Sequence, residues 1–194
     1  MATTITVSTT ADLYKALAGA TGGETILLAS GDYGNLSLGA RSGFSVTFPS
    51  NVTIASADAG HPAVFTGVML NGVSNLTIDD VVFDYTAASG ATTKDRPNQI
   101  TSCTNVTISN SLFDGDNASG STEASNGYGT GVGLSVRWGS GITIQNNEFS
   151  DWHRGAVFDS TSDLKVIGND VHDIRSDGMD YVNVQKVLIE NNYL

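Results

Sequence analysis

Basic residues are scarce in this chain: nine Lys and Arg stand against 20 Asp and Glu, a formal charge of -11 over 194 residues. That balance argues against nucleic acid or an anionic membrane surface as the main partner, and it makes an unaided polyanion site awkward. Cysteine is almost absent. Cys103 stands alone, six residues after Pro97, so no internal disulfide forms, and the thiol reads as a small packed side chain. Only 3 prolines accompany 22 glycines, a mix that suits many tight turns without disorder. No stretch is apolar enough to span a bilayer, and Met1 to Leu13 lacks the basic start and apolar run of a secretory signal. The length is right for one domain with one elongated core.

What the chain has instead is repetition. The phrase LTIDDVVFDY begins at Leu76, VTISNSLFDG at Val106, ITIQNNEFSD at Ile142, LKVIGNDVHD at Leu164 and VLIENNYL at Val187, with a weaker copy, VTIASADAG, at Val52. The starts are separated by 24, 30, 36, 22 and 23 residues. A unit of about 22 to 24 residues therefore repeats, with extra residues in two of the turns, and that is a solenoid. Within each copy the residues alternate: Leu76, Ile78, Val106 and Ile108 are apolar, while Thr77, Thr107 and Thr143 are polar. A period of two is a strand with one face inward.

The offsets carry the rest of the coil. Asp80, Asn110, Asn146 and Asn191, followed by Ser111, Asn147, Asn169 and Asn192, are residues that tolerate a left-handed bend and bond their own backbone. Stacked copies predict an asparagine ladder. Phe83, Phe113, Phe149, Val171 and Leu194 fall seven residues after the starts and predict a core column; Gly67, Pro97, Gly133, Gly155 and Gly178 fall nine residues before them. A second strand follows each of those, as in GLSVRW, GAVFDS and GMDYVN. The expected fold is all-β, a single-stranded parallel β-helix rising about 4.8 Å per coil, with a right-handed sense following the general bias of parallel crossovers. A β-sandwich would not preserve glycine and phenylalanine at fixed offsets from one anchor.

One domain is expected over 1–194, with a cap over 1–23 and coils over 24–194. STTADLYKAL, from Ser8, offers a hydroxyl cap and then Leu13, Tyr14, Leu17 and Ala18 at helical spacing, which predicts a short N-terminal capping α-helix over the first coil. At the other end the chain stops inside a repeat, at Asn191-Asn192-Tyr193-Leu194. Exposed strand edges invite pairing. The expectation is that the native protein continues past Leu194, and that this chain self-associates end to end through its last coil.

VSTTADLYKALAGATGGETILLASGDYGNLSL resembles the N-terminal cap and first coil of the polysaccharide lyases that include the alginate lyase and chondroitinase B family, within the right-handed β-helices of the pectate-lyase type. The later coils resemble the β-helical modules of mannuronan C5-epimerases. The resemblance implies an extracellular enzyme whose partner is an acidic polysaccharide, alginate or a related uronan. Such enzymes abstract the proton at C5, then eliminate the 4-linked sugar or return a proton to the opposite face. The epimerases carry a glycine, an aromatic, an aspartate, a proline and a histidine at a strand start. Here Asp177-Gly178-Met179-Asp180-Tyr181-Val182 matches in Gly178 and Asp180 only.

The densest polar grouping lies before Gly155 and Gly178. Aligned coils set Asp151 over Asp173, Trp152 over Ile174, His153 over Arg175, and Arg154 near Ser176 and Asp177. The expected substrate-binding residues are Arg154 and Arg175, pairing a carboxylate, with Asp177 beside them and Trp152 against a pyranose ring; the expected catalytic residues are Asp180, Tyr181 and His153. Neutralising the carboxylate makes the adjacent C–H more acidic. The plainer reading of the same residues is a solvated turn stack, with Asp151 paired to Arg154 and Asp173 to Arg175. Asp80, Asp84 and Asp114 offer hard oxygen ligands of the kind Ca2+ takes, without a calcium-loop consensus. His172 continues the column Asp84, Asp114, Ser150 and reads as a surface position. The polar insert from Asp116 to Gly131 reads either as a mobile loop bordering a groove or as a plain excursion. A non-catalytic β-helix, for binding or for structure, is the alternative to the enzyme.

Overall fold

A computed structural model of the chain describes residues 3–119 and 126–194. Parallel strands stack into three sheets that wrap one core. The first sheet has eight strands: Thr4–Val7, Thr25–Leu28, Val52–Ser56, Ser74–Asp79, Thr104–Ser109, Ser140–Gln145, Ser162–Ile167 and Gln185–Glu190. The second runs from Asn35–Gly39 through Gly67–Asn71, Asn98–Thr101, Val132–Arg137 and Arg154–Asp159 to Met179–Val182. The third holds six short strands, from Gly31–Asp32 and Ala63–Phe65 through Val81–Asp84, Leu112–Asp114 and Glu148–Ser150 to Asp170–His172. Each coil passes from first sheet to third to second and returns to the first one level up.

The register follows the repeat. Val52 pairs with Leu76, Leu76 with Val106, Val106 with Ile142, and Leu164 with Val187. All of these anchors but the half-buried Val187 are fully buried, as are Ile78, Ile108 and Ile144. In the third sheet Phe83, Phe113 and Phe149 are mutual partners, and the rings stack with centroids 4.7 and 4.5 Å apart.

The bend from first to third sheet is a tight one. Asp80, Asn110, Asn146, Gly168 and Asn191 take φ between 51° and 65° there, where short polar side chains and glycine are favoured. The next residue builds the ladder. Asn169 Oδ1 accepts from the Asn147 backbone N–H at 3.0 Å and from its Nδ2 at 3.1 Å, and Asn192 Oδ1 does the same for Asn169 at 3.0 and 2.8 Å. Each amide also donates back to a first-sheet carbonyl, Asn147 to Ile108 and Asn169 to Ile144, both at 3.0 Å. Buried donors and acceptors are thus paired without water.

The helix runs Thr10–Gly19, its N-cap Thr9 accepting from the Asp12 N–H at 3.1 Å. Leu13 and Leu17 bury its apolar face on the core. The strand Thr4–Val7 lies ahead of it and already pairs with Thr25–Leu28, so the first sheet begins within the stretch read as cap. Cys103 is buried, its thiol pushed up by burial, and donates to the Thr101 carbonyl at 3.3 Å.

Candidate functional site

Alternation along the second sheet sorts its residues. Leu134, Val136, Ala156 and Phe158 join the core; Gln99, Ser135, Val157 and Asp180 form a register column on the other side. Two members of that outer column are nevertheless nearly covered, Ser135 at 2% and Val157 at 7% exposure. The outer face is therefore covered at its centre. Two long connections lead from the third sheet to the strand starts there, 85–97 and a second one described over 115–119 and 126–131. Asp95 fastens the first to the strand Val132–Arg137: its carbonyl accepts from the Val132 N–H at 2.8 Å, and its carboxylate accepts, within the connection, from Thr92 Oγ1 at 2.9 Å and from Tyr85 Oη at 3.4 Å. Burial, and then the charge of Asp95, push the Tyr85 phenol up to about 12. In the second connection Asn117–Ser119 pairs antiparallel with Asn126–Gly129. The middle of the insert, 120–125, lies outside the described residues, so its reading as a mobile loop stays where the sequence left it.

Three arginines converge on this region from successive coils: Arg96 before the strand Asn98–Thr101, Arg137 at the end of Val132–Arg137, and Arg154 at the start of Arg154–Asp159. Burial first, and then the charges of Arg137 and Arg154, lower the pKa of Arg96. Arg96 Nη1 donates to the Lys94 carbonyl at 3.1 Å. Arg154 lies 3.3 Å from Asp177 and 3.4 Å from Asp180, and Arg137 lies 4.0 Å from Asp159. In two of these ion pairs the arginine atom facing the carboxylate is Nε itself, at 3.3 Å from Asp177 for Arg154 and 4.0 Å from Asp159 for Arg137; the shielded Nε–H of Arg96 has no hydrogen-bond acceptor among the described residues. All three guanidinium groups are half-buried, and a charge-assisted hydrogen bond to a further carboxylate would suit them.

Several expected residues take these places and others do not. Arg154, Asp177 and Asp180 come together; Arg154 pairs there rather than with Asp151. Half-buried His153 sits on the adjoining turn, where its carbonyl accepts from the Ser176 N–H at 2.9 Å, and Arg175 is exposed one coil up, its N–H donating to the Trp152 carbonyl at 3.0 Å. Trp152 is a correction. Its ring is 0% exposed, stacks on Tyr85 at 5.3 Å and donates from Nε1 to the Phe113 carbonyl at 2.8 Å, so neither face is open to a sugar. Tyr181 is another: alternation turns it inward, onto Phe158 at 5.2 Å, with its hydroxyl on Met179 Sδ at 3.4 Å. Burial alone drives that phenol to about 12. Arg96 and Arg137 were missed by sequence reasoning. Arg137 had a signal, the last residue but one of GLSVRW, in register with Asp159.

The expected acidic positions fall in two places. Asp84 and Asp114 are register partners, but Asp80 sits at the other end of its strand, in the bend. Two carboxylates fall short of the six to eight oxygens Ca2+ takes, and no group of three His, Cys, Asp or Glu able to hold a metal occurs among the described residues.

Comparison with known proteins fits this architecture. A family model described as a right handed beta helix region matches residues 50–194. The chain belongs to that family. Among solved structures it is similar to pectate lyase Pel9A, at 14% identity and a TM-score of 0.54, covering 92% of this chain and 55% of the lyase. It therefore spans about half of that protein's length. It also matches an alginate lyase from Paenibacillus sp. str. FPU-7 (14% identity, TM-score 0.37, 97% of this chain and 75% of that one) and the A-module of the Azotobacter vinelandii mannuronan C-5 epimerase (18%, 0.30, 93% and 70%). At these identities the likeness is one of fold. No curated protein matches the sequence.

Proposed function

We propose that the arginine cluster on the second sheet binds the carboxylates of an acidic polysaccharide, alginate or a related uronan, and that the chain is part of an extracellular lyase or C5-epimerase acting on it. The observation that carries this reading is the convergence of three half-buried guanidinium groups, Arg96, Arg137 and Arg154, from successive coils. A uronate carboxylate held by Arg96, Arg137 or Arg154 is neutralised, which lowers the barrier to removing the C5 proton. Asp180 and His153 are the bases in reach of Arg154. The electron pair left at C5 delocalises into the carboxyl group. It then either expels the 4-linked oxygen, forming a C4–C5 double bond, or takes a proton on the opposite face. Tyr181 has no part in this, since it faces the core.

A second reading, binding without turnover, is favoured by that same loss of Tyr181 from the acid–base set. The test separates them. The protein is mixed with alginate, pectate and chondroitin sulfate, and the ultraviolet absorbance of the unsaturated uronate is followed; proton NMR of the polymer then reports inversion at C5. Binding with neither product supports the second reading. Arg96→Ala and Arg154→Ala should each weaken oligouronate binding by about tenfold or more, the worth of a charged hydrogen bond. Their melting temperature should barely move, because the Arg154 partners Asp177 and Asp180 remain partly solvated. Undiminished binding in the double variant would remove the site from the arginine cluster.

A further inference from the structure

Where the second sheet turns into the first, each coil carries a residue in the left-handed conformation, Gly72, Ser102, Trp138, Ser160 and Asn183, with φ between 51° and 69°, and a second three residues on, at Asn75, Asn105, Gly141, Asp163 and Lys186. The first column is the informative one. Four of the five are glycine or carry short polar side chains, as that backbone favours. Trp138 is the outlier. It holds φ 54° with a bulky side chain, and its indole is 57% exposed and stacks on no other ring among the described residues. A side chain kept in a disfavoured conformation without core packing in return points to a role outside folding.

Beside it lies an open cavity of about 430 Å3, lined by Ser160, Thr161, Ser162, Asn183 and Gln185. The pairing of Arg137 with Asp159 sets Trp138 beside Ser160 in the neighbouring coil, about 4.8 Å away, the strand spacing. The lining is all hydroxyl and amide. Ser160 and Thr161 donate to Asp159 at 2.9 and 3.1 Å, and Ser162 donates to Ser140 at 3.1 Å, which leaves their oxygens able to accept. Trp138 is not itself a lining residue; an exposed indole one coil from a lining of hydroxyls and amides, with no ionisable group in that lining, matches one chemistry. A pyranose has an apolar C–H face for the indole and a rim of hydroxyls for the rest.

We propose that Trp138 and this cavity form a saccharide site for a neutral hexopyranose unit, adjoining the arginine cluster at Arg137. The proposal does not rest on the uronan reading, because nothing in this lining calls for a carboxylate. The probes are cellohexaose and mannohexaose, titrated into the full chain with tryptophan fluorescence and calorimetry as readouts. Trp152 is buried, so a saturable spectral change reports Trp138. Trp138→Asn, which suits the left-handed backbone, should lose at least tenfold in affinity without a lower melting temperature, and Gln185→Ala should lose several-fold. Arg96→Ala should leave neutral-sugar binding intact whatever it does to oligouronates, so the two sites fail independently. No saturable change with either hexasaccharide, or equal affinity in Trp138→Asn, overturns the proposal. So does Trp138-dependent self-association in sedimentation without sugar binding, which would assign the ring to a protein contact.

Discussion

Two sets of turns join the same strands and treat polar groups in opposite ways. At the bend from first to third sheet, Asn147 and Asn169 are buried and every amide hydrogen bond runs to the coil next door. At the connection from third to second sheet the loop lengths differ from coil to coil, and Arg96 and Arg154 lie there half-buried. The first arrangement repeats because a paired buried amide tolerates no change in length or partner. The second varies because its charged groups stay partly solvated, as Arg154 does between Asp177 and Asp180 of the next coil, and do not need one fixed partner. Stability should therefore respond to the bend and the core behind it, and ligand binding to the connection.

The sharpest way to break that division is in the core. Phe149→Ala removes a ring stacked 4.5 Å from Phe113 and should cost about 3–5 kcal/mol in a urea titration, as large buried aromatics do. A loss below about 1 kcal/mol would mean that the column does not carry the fold. Next comes the ladder. Asn147→Ala strips the acceptor from the Ser111 N–H, bonded at 3.0 Å, and the donor to Ile108, leaving buried groups unmet at about 1–3 kcal/mol. Oligouronate affinity should not follow stability in either variant at temperatures where it is folded. If affinity falls in step with stability, the bend and the arginine cluster are one cooperative unit and the comparison fails.

The fold was legible because stacking forces equivalent residues into register, so that Leu76, Val106 and Ile142 mark both the repeat and the pairing. The ladder and the phenylalanine column follow from the same anchor. The site was legible only in part. Asp177, Arg154 and Asp180 belong to adjacent coils of nearly equal length, so aligning the repeat brings them together. Tyr181 and Trp152 were misplaced for different reasons. Alternation from Ala156 and Phe158 turns Tyr181 inward, a count that polar chemistry obscured; Trp152 lies in a turn, where alternation says nothing, and Tyr85 and the Phe113 carbonyl draw it into the core. Arg96 meets the other arginines only across connections of unequal length, which no repeat aligns. Trp138 stood next to Arg137 in a recognised strand, but its exposure and its backbone conformation are not written in its neighbours.

The smallest expected effect lies on the third sheet, away from both turns. His172 sits above Ser150, Asp114 and Asp84 in register, with Nδ1 at 2.8 Å from Asp173 and Nε2 at 3.1 Å from Glu148 one coil below. Both partners only accept hydrogen bonds when ionised. A neutral imidazole has a single N–H and satisfies one of them; the protonated ring satisfies both. The hydrogen bond to Asp173, then that to Glu148, and more weakly the charges of Glu148 and Asp170, accordingly raise the pKa above its ordinary 6.5. A raised folded-state value means that the protonated form stabilises the fold. The contribution is complete below about pH 6.5 and is lost as pH rises through the folded value. The groups are well exposed, so the effect is modest and screened by salt. The melting temperature of the wild type should exceed that of His172→Gln by more at about pH 5.5 than at about pH 8.5, with the gap shrinking in high salt. An equal gap at both pH values would show that the two carboxylates do not hold the imidazolium, and that the coil-to-coil link at His172 is packing alone.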